Sequence, residues 1–249
     1  MAFLDVGQGD AIFIETPNGT QVLLDGGPNK KVLRELSQVM SFYDRSIDMI
    51  ITSHPDADHI GGIPEVLNRF EIKNILIPGV GSDTDVYSEM INVAQKKDVE
   101  LLYARQGRIF LDEENGVYLD ILFPDRDVAD FDKNMASVVA ELVYGDATFL
   151  FTGDSPQSIE NYLITKNSTA LNVDVLKLGH HGSKTSTGED FLGYVSPDYA
   201  VISAGEGNSY GHPNQEVLSL LEQFDIEYLE TSKEGTIFFE SDGGEPVLK

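Results

Sequence analysis

Residues 51–62 read ITSHPDADHIGG and place two imidazoles and two carboxylates within six consecutive positions. They continue an apolar run, residues 48–52, whose composition is typical of a buried strand. Proline disfavours the helical conformation of the residue before it, so we expect His54 to be extended. Alternate side chains of an extended segment share one face. The spacing therefore predicts that His54, Asp56 and Asp58 point the same way at the end of a strand.

This stretch has two interpretations. Ligands at the end of a strand, beside the first turn of a helix predicted over residues 63–70, suit cations and an anion bound to them. The alternative is an acidic, hydrated loop that contains histidines by chance. Metal binding is favoured, and the clusters described below strengthen it.

The charge balance limits the kinds of partner. The 249 residues include 17 Lys and Arg against 42 Asp and Glu, a formal net charge of −25. Repulsion on this scale argues against a basic surface that grips nucleic acid non-specifically, although it permits a nucleic acid held by bound cations. Such acidity favours an extracytoplasmic or secreted location over a cytoplasmic one. Because the chain has no cysteine, any metal site must use His, Asp, Glu or Asn.

The chain contains no apolar run near the roughly 20 residues that a membrane helix needs. A predicted strand begins within the first three residues, with no signal-peptide pattern before it. We therefore expect a processed chain, a trimmed chain or a domain cut from a longer protein.

Apolar strands and amphipathic helices alternate along the whole chain. Strands are predicted at residues 3–6, 11–16, 20–25, 48–52, 74–77, 100–103, 108–111, 117–123, 137–144, 148–152, 173–178, 199–203, 226–230 and 236–240. Helices are predicted at residues 29–41, 63–70, 85–96, 156–165, 188–194 and 214–224. With no linker in the sequence, this order favours one α/β domain over residues 1–249, built as two stacked sheets with helices outside.

Two more clusters follow predicted strands. Asp154 comes after the apolar strand 148–152 and a glycine, where it is either a helix cap or part of a site. His180 and His181 stand between glycines, which allow the backbone to approach a ligand closely. His212 also follows an apolar strand.

All five histidines of the chain lie on loops that follow strands, and none lies on a predicted helix face. Loops at one edge of a sheet converge on one site. The donors are too many for one tetrahedral ion and fit two cations at about 3.5–4 Å bridged by a carboxylate and a water. Mixed nitrogen and oxygen donors admit Zn²⁺ and suit Mn²⁺.

Together these motifs resemble the metallo-β-lactamase superfamily, whose signature is His-x-His-x-Asp-His. Here the order is His54-x-Asp56-x-Asp58-His59, with aspartate in place of the second histidine. The motifs at residues 5–10, 24–27, 152–154, 179–183 and 210–213 resemble one branch. That branch is the soluble domain attached to ComEC-type channels (DNA internalisation-related competence proteins), with its stand-alone relatives. The resemblance implies a four-layer αββα sandwich with a dinuclear site at one edge.

The resemblance also implies a ligand set. The implied metal ligands are His54 and Asp56 for the first ion, Asp58, His59 and His180 for the second, with His181 as the alternative to His180, and Asp154 between the two. The superfamily usually supplies another histidine to the first ion from the segment that here reads KNMAS, residues 133–137. Asn134 or water is the expected replacement. Asp25 and Asp10 are expected to orient ligands, with Gln8 facing the site.

The activity that the resemblance implies is metal-dependent phosphodiester hydrolysis, most plausibly by a nuclease that uses a hydroxide bound to two divalent ions, Zn²⁺ or Mn²⁺. Single-stranded DNA is the expected substrate, and a membrane channel an expected partner. Asp58, His181 and His212 are the expected catalytic residues. Ser183 and Lys184 are expected to contact substrate, although Lys184 also fits a solvated surface position.

Two alternatives stay open. A smaller phosphodiester, such as phosphorylcholine on a cell-wall polymer, fits the same motifs and is favoured by the negative charge. A metal-stabilised binding domain without turnover fits the missing histidine. The carboxylate-rich site disfavours β-lactam hydrolysis.

Overall fold

The alternating strands and helices form two mixed β-sheets that pack face to face in the computed structural model, which describes residues 1–166 and 171–249. The strands are β1 (Ala2–Phe3), β2 (Ile12–Glu15), β3 (Gln21–Leu24), β4 (Ser46–Ile51), β5 (Glu71–Ile77), β6 (Glu100–Tyr103), β7 (Gly107–Asp112), β8 (Val117–Phe123), β9 (Val139–Tyr144), β10 (Ala147–Phe151), β11 (Val175–Lys177), β12 (Tyr199–Ile202), β13 (Glu227–Glu230), β14 (Ile237–Glu240) and β15 (Val247–Leu248). The helices are α1 (Lys31–Val39), α2 (Ala57–Ile60), α3 (Ile63–Arg69), α4 (Asp85–Lys96), α5 (Gln157–Lys166), α6 (Glu189–Val195), α7 (Gln215–Gln223) and α8 (Thr231–Glu234).

The described strands divide between two sheets. The first sheet has the order β15-β14-β1-β2-β3-β4-β5-β6, and the second has the order β13-β12-β11-β10-β9-β8-β7. Within the first sheet β3, β4, β5 and β6 are parallel, and within the second β10, β11, β12 and β13 are parallel. Parallel strands end at the same edge, so the loops after them meet there.

Side-chain alternation along the strands produces the layers. Leu24 and Phe149 belong to the core between the two sheets, whereas their neighbours Leu23 and Leu150 face the helices. Helices α1, α3 and α4 cover the first sheet, and α5, α6 and α7 cover the second. The predicted αββα sandwich is confirmed.

The sequence interpretation was wrong within the first motif. Asp56 is extended, but residues 57–60 form helix α2, so an extended segment does not carry Asp58 on the same face as His54. The backbone N–H groups of His59 and Ile60 both donate to the carbonyl of Asp56, at 3.0 Å. This turn places Asp58 and His59 on adjacent helical positions. Strand β15 and helix α8 were not predicted.

None of the described helices combines the length and the apolar composition needed to cross a lipid bilayer.

Two pairs of glycines, Gly26-Gly27 after β3 and Gly61-Gly62 after α2, pack directly against each other. Gly26 donates its N–H to the carbonyl of His59 at 2.7 Å, and Gly62 donates to the carbonyl of Gly27 at 3.0 Å. A Cβ at Gly62 would lie 2.2 Å from the carbonyl oxygen of Gly26, and one at Gly61 would lie 2.2 Å from that of Pro28. The loop after β3 is thereby locked against the loop after β4.

We predict that Gly61→Ala destabilises the protein by about 1–3 kcal/mol, because the added methyl forces two backbone segments apart. Urea unfolding measures the change. Gly81→Ala is the matched control, since its Cβ would meet nothing within 4 Å, and its effect should stay within about 0.5 kcal/mol. Equal stabilities of the two variants would contradict the close crossing.

Candidate metal centre

Loops at the carboxyl ends of parallel strands converge on a pocket of about 140 Å³. Asp25 follows β3, His54 follows β4, and Asp154 follows β10. The paired histidines follow β11, and His212 follows β12. The described residues that line the pocket are Gln8, Asp56, Asp58, Asn134, Asp154, His180, His181, Tyr210 and His212.

Asp154 lies at the centre of this group. Its Oδ2 atom is 3.7 Å from Nε2 of His54 and 3.5 Å from Nε2 of His180. Its Oδ1 atom is 3.2 Å from Nε2 of His59 and 3.8 Å from Nε2 of His181. Each carboxylate oxygen thus faces a different pair of imidazoles.

The other two carboxylates of the motif follow the same division. Oδ2 of Asp56 lies 3.7 Å from Nε2 of His54. Oδ2 of Asp58 lies 3.3 Å from Nε2 of His181, which is also 3.3 Å from Nε2 of His59. The candidate ligands therefore form two groups that share Asp154.

The Nδ1 atoms of the histidines in these two groups contact supporting side chains. Nδ1 of His59 is 2.8 Å from Oδ2 of Asp25, and Nδ1 of His181 is 3.2 Å from Oδ1 of Asp10. The supporting groups of the other two rings are hydroxyls: His54 contacts Ser53 Oγ at 3.1 Å, and His180 contacts Thr185 Oγ1 at 3.2 Å. When these rings are neutral, the contacts of His54, His59 and His180 favour a proton on Nδ1, which places the Nε2 lone pair toward Asp154.

Two buried carboxylates are themselves held in place. Asp25 accepts hydrogen bonds from the backbone N–H of Ser53 at 2.7 Å and from its hydroxyl at 2.6 Å. Asp10 pairs with the ammonium of Lys177 at 2.9 Å, and both side chains are 1% exposed. Lys177 also donates to the carbonyl of Leu178 at 2.9 Å. These contacts fix the rings of His59 and His181.

The donor set fits divalent cations. Nε2 of His54 is buried and makes no hydrogen bond with any residue that the structure describes. Asp10, His59, Asp154 and His181 each offer a ligand atom within 4.8 Å of the others. Asp10, however, faces Nδ1 of His181, on the other side of that ring from Nε2, and is already paired with Lys177. We therefore count Asp58 as a candidate ligand beside His59 and His181, and Asp10 as a residue that supports the ring of His181.

The buried imidazoles and carboxylates stabilise each other's charged forms. Burial opposes a proton on His59 and on His181, but neighbouring carboxylates, Asp154 foremost, outweigh it. The pKa of His59 lies well above its ordinary value, and the pKa of His181 is raised to about 9. Burial alone would raise the pKa of Asp154, yet the surrounding imidazoles hold that pKa well below its ordinary range. Burial and the nearby His59 lower the pKa of His54.

The structure divides the two adjacent histidines differently from the assignment that the resemblance implied. His181 lies against Asp58 and His59, whereas His180 faces the Asp154 oxygen that also faces His54. Both residues have left-handed backbones, with φ of 49° and 56°. These dihedrals send consecutive side chains to different sides of the Asp154 carboxylate. The sequence motif alone carries no information on this turn.

The remaining predicted residues lie at different distances from the pocket. His212 lines it, with its ring centroid 5.5 Å from that of His180, and Gln8 and Asn134 line it as well. Ser183 and Lys184 are not among its described lining residues. The hydroxyl of Ser183 contacts Thr185 Oγ1 at 3.0 Å, so it supports the loop that holds His180.

Three residues without a predicted role stand beside the site. Lys133 forms an ion pair with Asp56, 2.9 Å between Nζ and Oδ1. Tyr210 stacks on His212 with ring centroids 5.8 Å apart. Lys177 carried a signal in the sequence, since a lysine inside an apolar strand needs a buried partner. Lys133 and Tyr210 lie within segments that the sequence analysis quoted, residues 133–137 and 210–213, but neither side chain was given a role.

We predict that metal binding releases protons and strengthens as the pH rises. The raised pKa values of His59 and His181 keep both rings protonated in the metal-free protein at neutral pH, whereas a bound cation requires neutral imidazole. Apparent affinity for Mn²⁺ should rise up to about tenfold per pH unit for each proton displaced, and the contribution of His181 should level off above its pKa of about 9. Calorimetry in buffers of different ionisation enthalpy measures the proton release. Affinity that is independent of pH would contradict it.

Comparisons with known proteins show the family and the fold of the chain. A family model described as the metallo-beta-lactamase superfamily matches residues 4–206. The chain is 31% identical over 252 residues to ComE operon protein 3 of Bacillus subtilis (strain 168), covering 94% of this chain and 32% of that protein. It is 30% identical over 239 residues to Competence protein ComA of Neisseria gonorrhoeae, covering 94% of this chain and 31% of that protein. The chain thus spans about a third of the length of these curated relatives.

The fold is also similar to a solved structure. The metallo-beta-lactamase fold protein YhfI from Bacillus subtilis superposes with a TM-score of 0.57 at 13% sequence identity, covering 92% of this chain and 95% of that one.

Proposed function

Because the chain belongs to the metallo-β-lactamase superfamily, we propose that it is a metal-dependent phosphodiesterase that acts as a nuclease on DNA. The names of the two competence-related relatives support DNA as the substrate. Since the chain covers only a third of those relatives, a membrane channel as partner and a position outside the cytoplasm belong to the same proposal.

We assign two divalent cations, Zn²⁺ or Mn²⁺, to the two groups of ligands around Asp154. The first-ion group is His54, Asp56, His180 and Asp154 through Oδ2. The second-ion group is Asp58, His59, His181 and Asp154 through Oδ1. Bound cations supply Lewis acidity and positive charge for an in-line displacement at phosphorus. In this assignment His180 completes the ligands of the first ion, a role that the resemblance suggested for Asn134 or water.

The single observation that carries this proposal is the position of the Asp154 carboxylate. It is buried, and each of its oxygens faces the Nε2 atoms of a separate histidine pair. A helix cap would place the carboxylate toward backbone N–H groups instead. This arrangement supports a pair of cations, one at each oxygen.

The chain's own residues position the phosphate in the pocket. Burial, and then the nearby His180 and His181, lower the pKa of His212, so its ring is neutral at neutral pH and serves as a hydrogen-bond donor to a phosphoryl oxygen. Asp58 lines the pocket and stays ionised, since His181 and His59 outweigh its burial and lower its pKa. We propose that Asp58 accepts the proton of the attacking water.

A second candidate substrate is a small phosphodiester such as a phosphorylcholine ester. The pocket is small, about 140 Å³, which suits a single phosphate group. A net charge of −25 also repels a long polyanion beyond the reach of the cations.

We predict that Asp154→Asn lowers hydrolysis by at least about 100-fold, because the amide cannot bridge two cations. The substrates are linear single-stranded DNA and bis-p-nitrophenyl phosphate, each with Mn²⁺ or Zn²⁺. Asp146→Asn is the control, since Asp146 is exposed and directly precedes strand β10, at the end of the strand remote from Asp154. Far-ultraviolet circular dichroism verifies that both variants fold.

Cleavage of both substrates that is lost in Asp154→Asn and kept in Asp146→Asn supports the nuclease. Cleavage of the small ester alone favours the second candidate. Unchanged activity in Asp154→Asn would refute the two-ion assignment. Thermal stabilisation by metal with no turnover of either substrate would point to a binding domain.

A further inference from the structure

We propose that the two cation sites are unequal: the second-ion group holds its cation tightly, and the first-ion group holds an exchangeable cation for which Lys133 competes. This inference rests on the two-ion assignment above. It predicts a one-ion form at low metal concentration, in which the ammonium of Lys133 neutralises Asp56. The complete site then forms only when the second cation arrives.

The supports behind the histidines differ between the two groups. Nδ1 of His59 forms a hydrogen bond with Asp25 at 2.8 Å, and Nδ1 of His181 lies 3.2 Å from Oδ1 of Asp10, a carboxylate that also pairs with Lys177. A carboxylate behind a ligating imidazole raises its basicity and strengthens metal binding, by about 10–100-fold where such partners have been removed. His59 therefore binds a cation more strongly than an unsupported ring, and the nearby charge of Asp10 adds a smaller effect at His181.

The imidazoles of the first-ion group lack this support. His54 is backed by the hydroxyl of Ser53, which donates its own proton to Asp25, and His180 is backed by the hydroxyl of Thr185. A hydroxyl is uncharged and leaves the ring less basic than a carboxylate does. The first-ion group is therefore the weaker one by its histidines alone.

Exposure adds to the difference. One pair of ligands makes the difference: the ring of His181 in the second-ion group is 1% exposed and that of His180 in the first-ion group is 29% exposed, whereas His54 and His59 are both fully buried. Water reaches an exposed ligand, screens its charge and competes for the cation. The first-ion group is thus both weaker and easier to empty.

Lys133 places a tethered positive charge on the first-ion group. Its Nζ lies 2.9 Å from Oδ1 of Asp56, while the other oxygen of Asp56 faces His54. A cation at the first-ion group meets repulsion from this ammonium unless the lysine swings away. Lys133 directly precedes the 3₁₀ turn Asn134–Ala136, and Asn134 lines the pocket. A competing cation is therefore tethered beside the pocket.

The test is a titration of the metal-free chain with Mn²⁺, in which electron paramagnetic resonance measures the free ion. We expect one tight constant and a second at least about tenfold weaker. In Lys133→Gln the weak constant should tighten by up to about tenfold, while the tight constant is unchanged. Lys31→Gln is the matched control, since Lys31 forms an ion pair with Asp5 at the same distance, 2.9 Å, and with similar exposure. Neither Lys31 nor Asp5 is among the described residues that line the pocket.

The outcomes separate this inference from the proposed function. No bound Mn²⁺ would refute the two-ion assignment, and the inference would fall with it. Two equal constants would overturn the inequality and leave the two-ion assignment standing. Equal shifts in Lys133→Gln and Lys31→Gln would overturn the role of Lys133. A weak constant that tightens only in Lys133→Gln supports the proposal.

Discussion

The structure depends on one constraint, a carboxylate enclosed by four imidazoles. Asp154 is buried, and a buried charge without compensation costs several kcal/mol. Without metal, protons on His59 and His181 supply that compensation, which is why their pKa values are raised. Two divalent cations would supply it more completely and would also engage Nε2 of His54, a buried atom that bonds to none of the described residues. The same group of atoms thus accounts for the metal affinity, its pH dependence and the proposed chemistry.

The fold holds these side chains in place through unusual backbone conformations. Asp25, His180 and His181 all have positive φ, at a cost of about 1–3 kcal/mol each. Local hydrogen bonds hold the paired histidines, since His180 donates its N–H to Gly153 at 3.0 Å and accepts from the N–H of Ser183 at 2.9 Å. Strain concentrated at the ends of β3 and β11 is expected where side-chain direction matters more than stability.

Much of the fold was predictable because hydrophobic periodicity indicates strands and helices. The site was predictable because its candidate residues lie on loops that follow strands. The convergence of Asp154 with the histidines followed from their common position after strands. The division of His180 and His181 between the two groups was not predictable, because it depends on two consecutive left-handed residues, a conformation that is uncommon outside glycine. The ion pair of Lys133 with Asp56 joins residues 77 positions apart, and the sequence offers no local signal for such a contact.

Anomalous diffraction from crystals grown with Mn²⁺ tests the central claim most directly. We expect two peaks about 3.5–4 Å apart, one at each oxygen of Asp154, with His180 at the first and His181 at the second. A single peak that does not contact Asp154, or peaks outside the pocket, would contradict the account.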